Sequence, residues 1–480
     1  MNQLAGKYIS IQAILLFLLL ALFCAEKFND LSLPYFWDEL GVYAQCAVAQ
    51  YHHGISFMPA SLDPELSRGH PLLLTVLNAS VMKIFGTSVV VPHVFHLAIS
   101  LTLLLAMYYY IAKHFSSTAA IVSVALLMAQ PIFLAQSVLL LPEVLLSLLL
   151  FLALVNYHQQ NFFLYALFGS LAILTKESAI VLPLTVFAYS LWKWFFNGNG
   201  EQLFSWRHLF FVLTPCFVFA LFLLVQKLQM GWYFFPYHGS SIEFSLPLFA
   251  HKFGEFMDVL FWNQGRYWWK NILLVSLGFA LLTNRINRQS ISNGLIPVFV
   301  FFIAAMLAFS SLSFYGERYV LPALVVFSMV TGVALTTLCR RVIVIVPVVF
   351  FICAVSYCSP DYNGFNYDND LGYRKQVSTL QKAVAYFENS TTGPVNVYGN
   401  FPAYFALRFA ESGYLKDNSK VALPIRSDFD EGYFISANPG AVSYLNLDKY
   451  DAQQVAVFTD GYARAEVYRV KLKQGYSSNP

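Results

Sequence analysis

Residues 89–111 read VVVPHVFHLAISLTLLLAMYYYI and contain no Asp, Glu, Lys or Arg. About 20 apolar residues in helical form span the hydrocarbon core of a bilayer. A helix also satisfies its own backbone amides, which hydrocarbon cannot do. The run therefore predicts a transmembrane helix.

Ten further apolar runs bring the number of predicted transmembrane helices to eleven. They cover 9–25, 119–136, 144–157, 162–175, 180–195, 209–225, 268–283, 295–314, 319–338 and 342–357. The first run lacks a convincing small-residue cleavage site and is interpreted as a retained anchor. The chain is 58% hydrophobic and only 11% charged, against roughly 25% charged residues in soluble domains. This composition excludes a water-soluble enzyme.

Charge and cysteine content exclude two other classes of protein. The net charge is +3 and no basic run concentrates it, so nucleic acid is not an expected partner. The six cysteines lie mostly inside apolar runs and form no CxxC pair. They are interpreted as small buried apolar residues, and no disulfide framework is expected.

The apolar run 71–85 is short for a span, and its placement decides the topology of everything that follows. If it does not cross and the N-terminus is cytoplasmic, the basic residues near the span ends are cytoplasmic, as membrane proteins prefer. These residues are Lys7, Lys113, Lys193, Arg207, Arg285, Arg288, Arg340 and Arg341. If it crossed, all of them after Lys7 would move outside. The run therefore predicts a helix lying at the outer interface.

This topology places two loops and the tail outside the cytoplasm. The first loop covers 26–88 and the second covers 226–267. We expect a transmembrane domain over 1–358 and a soluble α/β extracytoplasmic domain over 359–480, a length within the normal domain range. In the tail the sequence predicts a helix at 376–388 and strands at 395–398, 454–458 and 466–472.

Acids and bases gather at the outer ends of the predicted spans and in the first outer loop. They are Asp38, Glu39, His70, Glu143, Lys176, Glu177, Glu317 and Arg318. Charges at the edge of the hydrocarbon are costly unless they are paired or used. Their location on one side of the membrane suggests a functional site.

Each of these residues also has a simpler structural interpretation. The neighbours Lys176 and Glu177, like Glu317 and Arg318, could be ion pairs that anchor helix ends at the lipid headgroups. Taken alone, this interpretation is slightly favoured. The coincidence of several such features on one side favours the site.

The first outer loop offers similar alternatives. Asp38 and Glu39 follow Pro34 and could cap a helix. His70 precedes Pro71 and could simply begin the interfacial helix. These residues therefore need a further signal before they are assigned to a site.

Five short motifs provide that signal. They are Trp37-Asp38-Glu39 with Tyr43, Gly69-His70-Pro71-Leu72, Leu141-Pro142-Glu143, Leu174-Thr175-Lys176-Glu177 and Glu317-Arg318-Tyr319-Val320-Leu321-Pro322. In this order the sequence resembles the GT-C glycosyltransferases that use polyprenyl-phosphate sugars, in particular the protein O-mannosyltransferases and the aminoarabinose transferases of lipid A. The resemblance covers about 37–338 and implies two juxtamembrane helices in the first outer loop.

The resemblance implies that Asp38 is the catalytic acid residue, with Glu39 beside it. A carboxylate there can accept the proton of an attacking hydroxyl. Lys176 and Arg318 would hold the departing lipid phosphate, and His70 would contact that phosphate or orient Asp38.

Further substrate contacts are expected from Glu143, Glu317 and Tyr319. In the second outer loop, Trp232, Tyr233, Tyr237, His238 and Arg266 are expected to cover the sugar. Two departures from the aminoarabinose transferases are clear. Gly69 and His70 stand where those enzymes have Glu-Lys, so the metal-binding and phosphate-binding roles of that pair are not carried over. Glu143 stands where Asp is usual, and its exact role is left open.

The sequence thus predicts a mainly α polytopic membrane enzyme with a small C-terminal α/β domain. It would transfer a sugar from a polyprenyl-phosphate carrier to a lipid, glycan or protein, with inversion of the configuration at the anomeric carbon. The reaction would take place on the outer face of a plasma membrane, which in bacteria is the inner membrane. No cofactor is identified, and a divalent metal is left open. Two alternatives are a lipid or sugar transporter or flippase, and an inactive scaffold-like relative. A transporter would be expected to place ionisable or helix-breaking residues near mid-span, where this sequence has almost no charge.

Overall fold

A computed structural model of the chain shows a mostly helical protein with one small sheet near the C-terminus. The structure describes residues 11–197, 205–237, 245–283, 295–312, 316–359, 367–391, 396–416, 431–437 and 448–474.

The helices follow one another along the chain with short connections. In the described ranges they are α1 (Ile11–Lys27), α2 (Ala44–His53), α3 (Pro64–Ser67), α4 (Leu73–Phe85), α5 (Val90–His114), α6 (Ser117–Met128), α7 (Pro131–Gln136), α8 (Pro142–His158), α9 (Phe162–Thr175), α10 (Val181–Asn197), α11 (Trp206–Met230), α12 (Leu246–Phe261), α13 (Arg266–Leu282), α14 (Leu295–Ser310), α15 (Leu321–Leu338), α16 (Val342–Tyr357), α17 (Tyr373–Ser390) and α18 (Ala403–Arg408).

Helical structure is found on every one of the eleven predicted membrane runs. Within the described residues, five helical stretches are long and apolar enough to cross a membrane by themselves. They are Ile11–Ser32, Val90–His114, Glu177–Phe195, Trp206–Met230 and Glu317–Leu338. The protein is therefore an integral membrane protein, while the count of eleven spans and their direction stay predictions.

The predicted span at 119–136 is wrong as a single helix, because the helix breaks within it. Helix α6 ends at Met128, and Gln130 adopts an extended conformation before Pro131 opens α7. Proline disfavours the helical conformation of the residue before it and lacks the amide hydrogen that an unbroken helix needs. The proline at position 131 therefore separates two helices.

The first outer loop contains the two juxtamembrane helices that the resemblance implies, α2 and α4, which pack against each other. Between them lies the short α3, where the Asp63 side chain accepts a hydrogen bond from the Glu65 amide in a normal N-cap. Helix α4 begins at Leu73, two residues after the predicted start of the interfacial helix.

The tail forms a sheet of four strands in the order β1-β2-β4-β3. The strands are β1 (Val397–Gly399), β2 (Glu431–Ser436), β3 (Tyr450–Asp460) and β4 (Ala463–Leu472). Strand β1 pairs with β2 in parallel, and the other neighbours are antiparallel. The predicted helix and strands of the tail are all present, with the helix and the last two strands extended at their ends.

One cluster of buried apolar side chains connects the helices to the tail. It includes Phe133 and Leu324 from the helical part and Val377, Phe387 and Val467 from the tail. The tail is therefore packed onto the helices through a shared core.

Candidate active site

A cavity of about 690 Å³ lies where the outer loops meet the ends of several helices. One part of its wall is polar and includes Asp38, His70 and Arg318. Another part is apolar and comes from α11 and α14, where Phe222 and Met306 line the wall. The cavity can therefore accommodate a ligand with a charged group attached to an apolar chain.

Three helix ends deliver the charged side chains to this cavity. Glu143 is the second residue of α8, Lys176 directly follows α9, and Arg318 lies in the 3₁₀ turn that precedes α15. The structure thus brings to one level three residues that are far apart in the sequence.

The Arg318 guanidinium is the centre of the charged network. It forms ion pairs with Asp38 Oδ2 and Asp368 Oδ2, and its Nε lies 3.2 Å from Glu143 Oε1. Its backbone amide donates to Asn369 Oδ1 at 3.2 Å. Because Arg318 is only 6% exposed, these charge-assisted contacts lie largely out of water and are strong.

Glu143 connects the two buried cations. Its Oε1 also accepts a hydrogen bond from Lys176 Nζ at 2.8 Å. The Lys176 ammonium lies 4.0 Å from the centre of the Tyr319 ring, within cation–π range. Glu143 and Tyr319, both expected as substrate contacts, therefore also hold the cations in place.

Lys176 and Arg318 do not form the ion pairs with their sequence neighbours that the anchoring interpretation requires. They pair with Asp38, Glu143 and Asp368 instead. Glu177 pairs instead with His70, whose Nδ1 lies 3.1 Å from Glu177 Oε1. Glu317 begins the turn that presents Arg318, and it is not among the residues that line the cavity. The network thus joins separate segments of the chain.

Asp38 reaches the cavity because of an unusual backbone turn. Trp37 has φ +50°, which costs a residue other than glycine about 1–3 kcal/mol. Its ring is held by Tyr367 and Phe401, with ring centres 4.4 and 4.5 Å away. Asp38 makes no helix-capping hydrogen bond, so the capping interpretation is wrong for Asp38. It fits Glu39, whose Oε2 accepts the amide of Phe36 three residues earlier.

The Asp38 carboxylate is partly open, with its side chain 30% exposed. Burial raises the pKa of this carboxyl, but the Arg318 guanidinium, with smaller help from Arg68 and Lys176, outweighs it and lowers the pKa below its usual value. Within the described residues, Asp38 bonds only to Arg318, through Oδ2. Asp38 is therefore ionised, with its other oxygen available.

Glu39 points away from the cavity, although it is next to Asp38 in sequence. Its fully buried carboxylate lies 2.9 Å from His93 Nε2 and accepts the amide of Leu140 at 2.7 Å and that of Phe36 at 3.2 Å. It links the first outer loop to α5 and to the segment before α8. In this structure Glu39 holds the loop that carries Asp38.

Sequence reasoning missed Asp368, which the tail contributes. This aspartate is buried, lines the cavity and pairs with Arg318. Burial raises the pKa of Asp368 to about 7; Arg318 lowers it, while Asp38 and Glu143 raise it further. The only local signal is a polar Tyr-Asp-Asn-Asp run at 367–370, which is typical of any loop.

The second outer loop covers part of the cavity. Phe235 and Tyr237 line it, and Trp232 packs onto the Gly69 turn. Arg266 does not contribute: it is fully buried and donates to Val259 O at 2.6 Å and to Gln130 Oε1 at 2.7 Å. A buried guanidinium needs such acceptors, and they place Arg266 at the break between α6 and α7. His238 lies outside the described residues.

Across the part of the chain that the structure describes, no group of three or more His, Cys, Asp or Glu side chains is arranged to hold a metal ion. The pairs His70–Glu177 and His93–Glu39 satisfy each other instead.

The chain is similar to known proteins in part of its sequence and in its fold. Residues 69–225 match the family described as dolichyl-phosphate-mannose-protein mannosyltransferase. The structure is similar to the crystal structure of ArnT from Cupriavidus metallidurans bound to undecaprenyl phosphate, with a TM-score of 0.61 and 14% identity over 94% of this chain and 97% of that chain. The chain has the GT-C fold of ArnT.

The apo structure of the same ArnT gives a TM-score of 0.61 and 13% identity over 96% of this chain and 98% of that chain. No curated protein sequence matches the chain significantly. The resemblance expected from the five motifs is thereby confirmed at the level of the GT-C fold.

Proposed function

We propose that this protein transfers a sugar from a polyprenyl-phosphate carrier to an acceptor at the extracytoplasmic face of the membrane, with inversion at the anomeric carbon. The cavity carries the proposal. It combines a cluster of acids and cations with an apolar wall, which is what a phosphate group on a long hydrocarbon requires. A structural neighbour, ArnT, has been crystallised with undecaprenyl phosphate.

The proposed reaction is a single displacement. An acceptor hydroxyl attacks the anomeric carbon, the bond from that carbon to the phosphate oxygen breaks, and the lipid phosphate leaves as a stable anion. The proton of the hydroxyl passes to Asp38, which lines the cavity and pairs with Arg318 through Oδ2. Because the leaving phosphate is already a good leaving group, no general acid is needed.

Arg318 and Lys176 stabilise the charge that develops on the leaving phosphate. Hydrogen-bond donors that are fixed before the reaction are effective because they need not reorganise. Arg318 pairs with Asp38 and thereby makes its carboxylate a weak base. When Arg318 also donates to the phosphate, its interaction with Asp38 is weakened. Donor binding thus makes Asp38 more basic at the moment when a proton must be accepted.

The charged residues also favour an enzyme over a transporter. Glu143, Lys176 and Arg318 meet at one level, at the ends of their helices. A transporter would be expected to place such groups at discontinuous helices near the bilayer midplane.

The test compares lipid extracts by mass spectrometry from cells with wild-type protein, with Asp38→Asn, or with no protein. Asp451→Asn, an exposed aspartate on β3, is the matched control. We expect the polyprenyl-phosphate sugar to accumulate in the first variant and in cells without the protein, and to be consumed in the control. Equal donor levels in wild type and Asp38→Asn would overturn the proposal.

A further inference from the structure

Arg68 is a cation of the cavity to which neither the motifs nor the network assigns a role. It lines the cavity with Asp38 and is half-buried. Among the described residues, its side chain forms no ion pair, hydrogen bond or ring contact. Lys176 and Arg318, the other Lys and Arg residues that line this wall in the described part of the chain, are both bound to carboxylates. Of these described residues, Arg68 is therefore the one whose donors are uncommitted.

The backbone around Arg68 is held firmly. Arg68 ends α3 in the left-handed conformation with φ +49°, and its amide donates to Pro64 O at 2.8 Å. The His70 amide donates to Ser67 O at 3.0 Å and closes the turn. A fixed backbone in an uncommon conformation suggests that the side chain is directed for a purpose.

The second outer loop packs directly on this turn. A Cβ at Gly69, which has φ +72°, would lie 2.8 Å from the Trp232 ring and 3.3 Å from Phe235 Cβ. Glycine is therefore required there by both its backbone and its neighbours. The packing joins Arg68 to the loop that covers the cavity.

The charges around the cavity explain why a further cation is needed. Lys176 and Arg318 together face three carboxylates, those of Asp38, Glu143 and Asp368. Even when Asp368 holds a proton, this network carries no excess positive charge. An incoming phosphodiester is a monoanion, so it would meet a neutral or negative network without another cation.

We propose that Arg68 is the residue that captures the phosphate group of the lipid-linked donor, before Arg318 and Lys176 share the charge of the leaving group. This inference rests on the proposed function and deepens it. The guanidinium offers two parallel donors to two phosphate oxygens, an arrangement that a lysine cannot reproduce. Arg68 and Asp38 line the same cavity, so the captured phosphate would hold the sugar within the space that Asp38 faces.

The test measures equilibrium binding of undecaprenyl monophosphate to the full-length protein in nanodiscs by native mass spectrometry. Undecaprenol, which lacks the phosphate, is the ligand control. Arg207→Gln, an exposed arginine at the start of α11, is the matched protein control. We expect Arg68→Gln to weaken binding of the monophosphate by about tenfold or more and to leave binding of undecaprenol unchanged.

Two further results belong to the expectation. Because the Arg68 side chain has no bonding partner to lose among the described residues, Arg68→Gln should keep the Tm of the wild type. Arg68→Lys keeps the charge without the fork, so its affinity should lie between those of the wild type and Arg68→Gln.

The outcomes separate this inference from the proposed function. Equal binding of monophosphate and undecaprenol by the wild type would contradict the proposed donor class itself. Phosphate-dependent binding that is the same in Arg68→Gln as in the wild type would overturn the role of Arg68 alone.

Discussion

Asp38 and Glu39 are adjacent acids with opposite surroundings. Asp38 is partly open and pairs with a cation of the cavity, whereas Glu39 is fully buried and accepts backbone amides. A buried carboxylate is tolerable only when its oxygens have donors. Asp38 is therefore placed for chemistry, whereas Glu39 holds the backbone in position.

Glu39→Gln should destabilise the protein by about 1–3 kcal/mol. The new amide NH₂ must face either the Phe36 amide or the pair formed by His93 and the Leu140 amide, which sets donor against donor. Thermal unfolding in detergent measures the loss. Glu65→Gln, an exposed acid of the same loop, is the control and should leave Tm unchanged.

A positioning role for Glu39 has a kinetic signature. Displacing Asp38 should lower kcat while the KM for the donor stays close to its wild-type value. Wild-type kcat in Glu39→Gln would show that the Glu39 contacts do not set the position of Asp38.

Asp368 should make stability depend on pH in the near-neutral range. Burial raises its pKa to about 7, so between about pH 4 and pH 7 the folded protein binds a proton that the unfolded chain releases. Stability should therefore fall as pH rises through this window. In Asp368→Asn this fall should be much reduced, as measured by Tm between pH 4 and pH 8.

The Asp38 carboxyl has the opposite sign and a different window. Its pKa is lowered, so its contribution to stability is present above about pH 4 and is lost as pH falls further.

A stability profile that is unchanged by Asp368→Asn would show that Asp368 carries no proton in the folded protein near neutral pH.

At the scale of elements, the turn at Gly69 joins the two outer loops. Gly69→Ala must accept both a left-handed backbone and a clash with Trp232. Gly86→Ala provides a matched control, since its φ is +91° but nothing lies within 4 Å of the added carbon. We expect both variants to lose the conformational freedom of glycine, at about 1 kcal/mol, and Gly69→Ala to lose more.

The difference between these variants should also appear in donor use. Gly69→Ala displaces the loop over the cavity and should raise the KM for the donor, measured with purified protein, while Gly86→Ala should not. Equal Tm and KM in the two variants would contradict the packing of the second loop on this turn.

Several elements were predictable from the sequence because their signals are local. The helix at 162–175 has the predicted bounds, with Asn161 accepting the Leu164 amide as its cap. The break before Pro131 was also signalled locally, but the apolar run on both sides concealed it. The convergence of Asp38, Lys176 and Arg318 followed from membrane topology, because helix ends on one side lie at one level.

The remaining contacts of the cavity depend on tertiary packing, which the local sequence does not encode. Asp368 lies 50 residues from Arg318 in the sequence, in a tail without motifs. Glu39 looked like a second catalytic acid because Asp38 is its neighbour, yet successive residues of a helical turn point in different directions. The contacts that join distant segments around the cavity are therefore found only in the structure.

At the scale of the whole molecule, Arg374 fastens the tail to the end of α1. Its guanidinium lies 2.9 Å from Glu26 Oε1 and 2.7 Å from Asp30 Oδ1. Asp30 is buried and also pairs with Lys27 at 2.5 Å. The network holds α17 close to the cavity, because Asp368 lies just before that helix.

Arg374→Gln should loosen the tail without unfolding the membrane helices. We expect faster hydrogen–deuterium exchange in α17 and a Tm loss corresponding to about 1–3 kcal/mol. Arg469→Gln breaks an exposed pair with Glu431 on the sheet and should change neither, since exposed ion pairs contribute little. Unaltered exchange in Arg374→Gln would show that other contacts suffice to hold the tail.

Asp368 gives the tail a means of acting on the interior of the protein from its outer surface. An antibody fragment that displaced the 367–370 segment would separate Asp368 from the buried guanidinium of Arg318. The fragment itself would not need to enter the hydrocarbon. Inhibitors directed at this segment would not need to be apolar or to resemble a substrate. That route matters because the cavity itself has an apolar wall.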